Sequence, residues 1–218
     1  RFDVPALVTP ESLRTAILHL CAKNNCTRLA RVRLSVFRGN GGLYDYDDRT
    51  AQFIIETWPL NDTANQLNEN GLVIGIYPLA RKCIDSFSHL KSANFLCYTM
   101  AAIHARQNKW NDCLVLNTED NIADATIANV FIIKDKKIYT PSLAQGCIDG
   151  VMRRFVLEQL KHEVVDTAVT AADLEQADEI FLTNAINGIR WVKEYDGRSY
   201  SCAQTVQIYE RCFQTIYH

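Results

Sequence analysis

Ala128-Asn-Val-Phe-Ile-Ile-Lys-Asp-Lys-Lys-Ile-Tyr-Thr-Pro-Ser-Leu-Ala-Gln-Gly-Cys-Ile-Asp-Gly-Val-Met-Arg153 contains, in one run, a strand, a tight turn, a second strand, a glycine-bracketed corner and the start of a helix. The apolar run Ala128–Ile133 and the segment Lys137–Tyr139 flank Lys134-Asp-Lys, which is hairpin patterning. The corner Gly146-Cys-Ile-Asp-Gly150 leads into a helix over about Gly150–Lys161. A helix that starts this way offers free N–H groups and the positive end of its dipole, which suits a phosphate. The plainer reading is a loop in which Asp149 caps the helix, and a carboxylate so near a phosphate would have to turn away from it.

Working upstream, Asp124 sits in Asn121-Ile-Ala-Asp-Ala-Thr-Ile-Ala-Asn129, ahead of the apolar strand. It reads either as a turn residue or as an acid placed to face a ring nitrogen. Lys91 opens an apolar helix running from Ser92 to about Gln107, with Phe95, Leu96, Met100, Ala101 and Ile103 as its apolar positions. Lysines at helix starts are normally solvated. One drawn into apolar surroundings loses its ammonium preference and becomes a nucleophilic amine. An amine, a carboxylate and a backbone anion cradle are together what pyridoxal phosphate requires of a protein.

The other elements complete an α/β to α+β chain. A helix starts at Thr9-Pro10, with Leu13, Ile17, Leu18 and Leu20 along its apolar face. Strands are expected at Ala30–Phe37, Ala51–Thr57 and Leu72–Tyr77, a helix followed by a meandering sheet. Further strands fall at Cys113–Leu116, Val164–Val169 and Glu179–Thr183, with a short helix at Ala171–Gln176. A hairpin turns near Asp196-Gly197, and a last helix covers about Ala203–Ile216. The reading is of two domains, residues 1–84 and 91–218, joined by a connector over 85–90. Asn184 and Ala185 close the strand Glu179–Thr183, and Arg33 and Arg38 flank an apolar strand. They are either simply exposed or able to grip a substrate carboxylate.

Composition excludes several other classes. Of 218 residues 48% are hydrophobic and 22% charged, and the net charge of −2 gives nucleic acid no basic footprint. The longest apolar run, Gly71–Ala80, is too short to span a bilayer, so no membrane association is expected. The eight cysteines, at 21, 26, 83, 97, 113, 147, 202 and 212, form no C-x-x-C pair. Buried reduced thiols in a cytoplasmic protein are the reading. Histidines at 19, 89, 104, 162 and 218 lack ligand spacing, no metal site is expected, and no G-x-G-x-x-G or P-loop is present.

Taken together, these segments resemble the class IV, or fold type IV, pyridoxal-phosphate enzymes. That group holds branched-chain aminotransferases, D-amino-acid aminotransferases and 4-amino-4-deoxychorismate lyases. The likeness is carried by Val32-Arg-Leu-Ser-Val-Phe-Arg-Gly39 with Gly41-Gly42, and by His89-Leu-Lys91-Ser-Ala-Asn94. It continues through Ile122-Ala-Asp124, Ala128-Asn129-Val-Phe131, Tyr139-Thr-Pro141, Gln145-Gly-Cys-Ile-Asp-Gly-Val-Met-Arg153, Gln176-Ala-Asp-Glu179 and Leu182-Thr-Asn184. The resemblance implies two domains with the active site in the cleft between them. Lys91 would be the Schiff-base lysine and the base at the substrate α-carbon. Asp124 would stand where the family has a glutamate facing the ring nitrogen. Val151 and Met152 would present N–H groups to the phosphate, with Asn184 and Ala185 near the phosphate and substrate carboxylate. It further implies a homodimer acting on a small amino or keto acid, by transamination or by elimination of pyruvate.

This chain departs from the family pattern in two ways. Aspartate is one methylene shorter than glutamate, and the family's opening segment, with a phosphate-gripping arginine, has no counterpart in residues 1–218 and is expected to precede them. The Arg38-Gly-x-Gly-Gly loop and the Gly146 corner look most like the lyase branch. D-amino-acid enzymes carry an arginine and histidine where Leu43 and Tyr44 stand. Branched-chain enzymes usually have Gly-Ile-Thr-Arg where this chain has Gly150-Val-Met-Arg153. The alternative from another class is a catalytically silent relative serving as a binding or dimerisation module.

Overall fold

The computed structural model describes residues 9–39, 50–64 and 66–214. Gly41, Gly42, Leu43, Tyr44 and the expected helix end at Ile216 lie outside these residues. By contact the chain divides into two units, Arg1–Ala64 and Asn65–His218.

In the first unit, helix α1 (Pro10–Lys23) starts as the sequence predicts, with the Thr9 hydroxyl accepting from Ser12 N at 3.2 Å. Strands β1 (Ala30–Arg38) and β2 (Ala51–Pro59) form an antiparallel pair. Asn24, just past α1, donates to Thr57 of β2 at 2.8 Å.

The second unit is built on a curled nine-stranded sheet. Its strands are β3 (Leu72–Ile76), β4 (Asp112–Leu116), β5 (Ile122–Ala125), β6 (Asn129–Lys134), β7 (Lys137–Pro141), β8 (Val164–Thr167), β9 (Glu179–Asn184), β10 (Gly188–Tyr195) and β11 (Arg198–Ser199). The order is β5-β4-β3-β10-β9-β6-β7-β8, with β11 on β10. Strand β3, grouped by the sequence reading with the first sheet, instead pairs in parallel with both β4 and β10. Those partners lie far along the chain, and no local pattern announces such pairing.

Buried strands alternate between two apolar layers, so they read as continuous apolar runs. Leu114, Leu116, Val130, Ile132, Ile180 and Leu182 point to the inside of the curl. On the outer face Phe131, Ile133, Phe181 and Ile189 meet helix α3 (Val151–Gln159) and the C-terminal helix. Phe131 and Phe181, opposite in register, stack with centroids 4.8 Å apart. Cys113 and Val115 pack under Ala101 and Ala105 of helix α2 (Leu96–Gln107). Helix α4 (Ala171–Gln176) begins on a Thr170–Asp173 capping box. Helix α5 (Ala203–Ile208) is seated by the buried Glu179 carboxylate, which accepts from Gln204 N and Thr205 N, and continues as a π-turn over Tyr209–Phe213.

Helix α2 starts five residues later than the position of Lys91 suggests. Side chains divert the backbone before it: Asp85 accepts from Phe87 N at 2.7 Å, and Ser92 Oγ accepts from Asn94 N at 3.3 Å. Such local bonds compete with helical ones. Lys91 therefore lies in an exposed segment rather than on an apolar helix.

Candidate active site

Asp124 is buried in β5, on the outer face beneath α2. Its Oδ2 accepts from Tyr98 OH at 2.7 Å, from Lys82 Nζ at 3.1 Å and from Ile148 N at 3.1 Å, and its Oδ1 accepts from Asn129 Nδ2 at 3.0 Å. Burial pushes its carboxyl above the usual carboxylate range, while Lys82 and Tyr98 pull it back. Burial, reinforced by the neighbouring carboxylate, raises the Tyr98 phenol, so it keeps its proton and stays a donor. The Lys82 ammonium also lies 5.2 Å from the Tyr98 ring centroid. Lys82 is placed there by its backbone, which donates to Leu116 O and bridges Asn117 beside β4.

Asn129 joins this acid to the glycine corner. Its Nδ2 donates to Ile148 O at 2.8 Å as well as to Asp124. Its Oδ1 lies 2.1 Å from where a Cβ on Gly150 would stand, so only glycine fits there. Gly146 takes φ 79°, the left-handed region where glycine carries no penalty. The corner is further tied by Asp149 N donating to His89 O at 2.9 Å.

Gly150 is the N-cap of α3, and no side chain caps that helix. Asp149 is therefore not the cap; its carboxylate turns to Arg154 at 3.5 Å, which takes its charge away from the helix start. The first N–H groups of α3, on Val151 and Met152, have no intrahelical acceptor. Val151 is 64% exposed, whereas the Met152 side chain is buried in the outer core. Thr183 stands opposite Asn129 in register, hence on the same face, and its Oγ1 is buried with no hydrogen-bond partner among the described residues. A buried orphan hydroxyl beside an uncapped helix start fits an oxyanion ligand.

The remaining expected site residues are more dispersed. The exposed Lys91 amine makes no hydrogen bond or ion pair among the described residues. Asn184 Oδ1 accepts from Ile186 N and Asn187 N, so its side chain shapes the β9–β10 turn, with Ala185 exposed at the tip. A cavity of about 220 Å³ opens beside that turn, lined by Asn68, Asp112, Asn184 and Arg190, but not by Asp124 or Val151. Arg33 is paired with Glu56, its cross-strand neighbour, and lies over Trp58 with Arg31. Arg38, an odd number of residues further along the same strand, belongs to the opposite sheet face. Lys82, Tyr98, Asn129 and Thr183 are the site residues that the sequence did not single out.

The sequence profile of the family described as amino-transferase class IV matches residues 2–195. The chain belongs to the class IV aminotransferases. It is 31% identical over 124 residues to the aminodeoxychorismate lyase of Vibrio harveyi, covering 56% of this chain and 46% of that protein. It is 30% identical over 216 residues to a putative branched-chain-amino-acid aminotransferase of Methanocaldococcus jannaschii, covering 94% of this chain and 72% of the relative. The chain thus spans about half the length of the first and nearly three quarters of the second. The fold matches that of the branched-chain aminotransferase of Thermobaculum terrenum in its PLP form, with a TM-score of 0.84 at 20% identity, over 98% of this chain and 73% of the other. The expected fold type IV architecture is thereby established. Among the described residues no helix is long and apolar enough to cross a membrane. No group of histidine, cysteine, aspartate or glutamate there could hold a metal ion. All eight cysteines are free.

Proposed function

We propose that the protein is a pyridoxal-phosphate enzyme acting on an amino acid or amino-substituted acid, by transamination or by pyruvate-releasing elimination. The observation that carries this reading is Asn129, which links a buried, fully hydrogen-bonded acid to an uncapped helix start through one amide. Asp124 supplies fixed negative charge, oriented by Tyr98 and Asn129. Val151 and Met152 N–H groups and the Thr183 hydroxyl hold the phosphate, with Asn184 and Ala185 fixing the adjoining turn. Lys91, without a hydrogen bond or ion pair among the described residues, supplies the amine that carries the cofactor and then moves a proton at the substrate α-carbon. When bound, the cofactor withdraws the electrons released at that carbon. Arg33, which Glu56 engages, and Arg38 are the two arginines proposed for a substrate carboxylate.

The relatives include both a lyase and an aminotransferase, which supports the two-reaction form of the proposal. We further propose a homodimer in the cytoplasm. Phe95, Leu96, Met100 and Ile103, all exposed along α2, give a second copy an apolar surface. No observation favours the silent-module reading.

The test is an absorption spectrum with pyridoxal phosphate, then borohydride reduction and tryptic mapping. A label on Lys91 blocks cleavage there and joins Cys83–Lys91 to Ser92–Arg106. A label on Lys82, or no protein-bound absorbance, would refute the assignment.

A further inference from the structure

Asp124 already has all the hydrogen bonds it can accept. An ionised carboxylate offers about four lone-pair sites, and four donors meet it: Lys82 Nζ, Tyr98 OH, Asn129 Nδ2 and Ile148 N. A protonated ring nitrogen would be a fifth. Three of the four are fixed. Ile148 N–H belongs to the backbone of the glycine corner, which is tied down again one residue later at His89 O. Asn129 is held by Asp124, by Ile148 O and by close contact with Gly150. Tyr98 is carried by helix α2. Lys82 alone reaches the acid on a flexible four-carbon stem, and its side chain is 12% exposed against 3% for Asp124.

Lys82 is also the positive partner that Asp124 needs in the interior. Besides Lys82, Asp124 faces Tyr98 from α2 and Cys147 from the corner, while Lys82 also faces Cys97 of α2 and the exposed Asp85 carboxylate. Burial raises Tyr98, Cys97 and Cys147, the Cys147 thiol to about 12, so Lys82 is the cation that meets Asp124 among uncharged neighbours, and Asp85 is a solvent-exposed second acid on the lysine's side. A carboxylate buried among neutral groups is costly without a cation. Lys82 cannot double as the cofactor-bearing amine. That amine joins the cofactor across the ring from the nitrogen, whereas Lys82 touches the nitrogen's own partner.

We propose that Lys82 is the resting counter-ion of Asp124, released from the carboxylate when the cofactor's ring nitrogen arrives, so that lysine and cofactor compete for one charge. The idea rests on the cofactor reading above. It makes Lys82 a positioning residue, one that favours the charged form of the acid against its burial and keeps it aimed while no cofactor is bound.

The experiment compares cofactor-free wild type, K82M, K82R and the double variant K82M/D124N, by thermal melting and by titration with pyridoxal phosphate. K82M should melt lower because it strands a buried charge, and D124N should restore the loss by removing that charge. K82M should bind the cofactor more tightly, by about tenfold or more, because the competitor is gone. K82R should stay near wild type in both respects. Uptake by wild type with equal or weaker uptake by a folded K82M overturns the exchange alone. A K82M melting loss that D124N does not rescue overturns the resting pair. No uptake by any of the proteins overturns the cofactor reading, and the exchange with it.

Discussion

Replacing Gly150 by alanine puts a methyl group where Asn129 Oδ1 already lies. The added carbon would stand 2.1 Å from that oxygen. Asn129 must recede by more than about 1 Å to restore ordinary contact. Its amide bonds to Asp124 and Ile148 O, at 3.0 and 2.8 Å, do not survive such a move together. Losing a bond to a buried charged group costs about 1.5–3 kcal/mol, and alanine at an N-cap adds a fraction of a kcal/mol or more. We expect G150A to lose about 3 kcal/mol, a melting decrease of roughly 5–10 °C for a unit of this size. Gly150 has φ −69°, so none of this loss is backbone strain. Gly197 is the control: it takes φ 76° with nothing near its missing Cβ, so G197A should lose only the left-handed penalty of about 1–2 kcal/mol. Urea unfolding of both variants gives the comparison, and G150A should also bind pyridoxal phosphate more weakly. If G150A lies within about 0.5 kcal/mol of wild type, or loses no more than G197A, then Asn129 does not couple the corner to the acid.

K91A should abolish cofactor uptake and turnover while leaving the unfolding free energy within about 0.5 kcal/mol, because the side chain is exposed and makes no bond among the described residues; a folded K91A that still turns over would remove Lys91 from the chemistry. T183V should be neutral or stabilising without ligand, since it deletes a buried hydroxyl that has no partner, yet it should weaken phosphate and pyridoxal phosphate binding. Calorimetry with inorganic phosphate checks this, and unchanged affinity would count against the hydroxyl as a ligand. Burial pushes the Cys113 and Cys147 thiols from 9.0 up to about 12. In alkali the unfolded chain releases these protons first, so stability should fall as pH rises from about 9 towards 12. The fall should flatten in C147A, and an unchanged slope would show that this thiol does not drive it.

Local chemistry made much of the site readable. The glycine corner, the α1 cap at Thr9 and the α4 helix all follow from side chains that act within a few residues of themselves. Asp124 was visible as an acid ahead of the apolar run Ala128–Ile133, although nothing local marked it as lying on a buried strand of its own. Lys82 was not, since Arg81-Lys82-Cys83 reads as an ordinary solvated segment; only its pairing with Asn117 turns the side chain inward. Tyr98 falls in the expected helix without being one of its named apolar positions, and Asn129 falls inside the expected strand Ala128–Ile133; neither position by itself shows the partner that the folded chain gives it. Helix α2 itself misled because it is apolar on two sides, with Ala101 and Ala105 buried and Leu96 and Met100 exposed. The short strand β5 and the central place of β3 depend on partners brought together only by the complete sheet.

The place of β3 also bears on how the protein emerges from a ribosome. One of its neighbours, β4, follows within some forty residues, but the other, β10, is made more than a hundred residues later. Until Gly188–Tyr195 has left the exit tunnel, β3 and β9 each present an unpaired apolar edge, Leu-Val-Ile-Gly-Ile in β3 and Ile-Phe-Leu in β9. Such edges are templates for association with other nascent chains. The growing chain therefore spends most of the synthesis of its second unit with an open sheet, and it is during this interval that a chaperone has the most to shield.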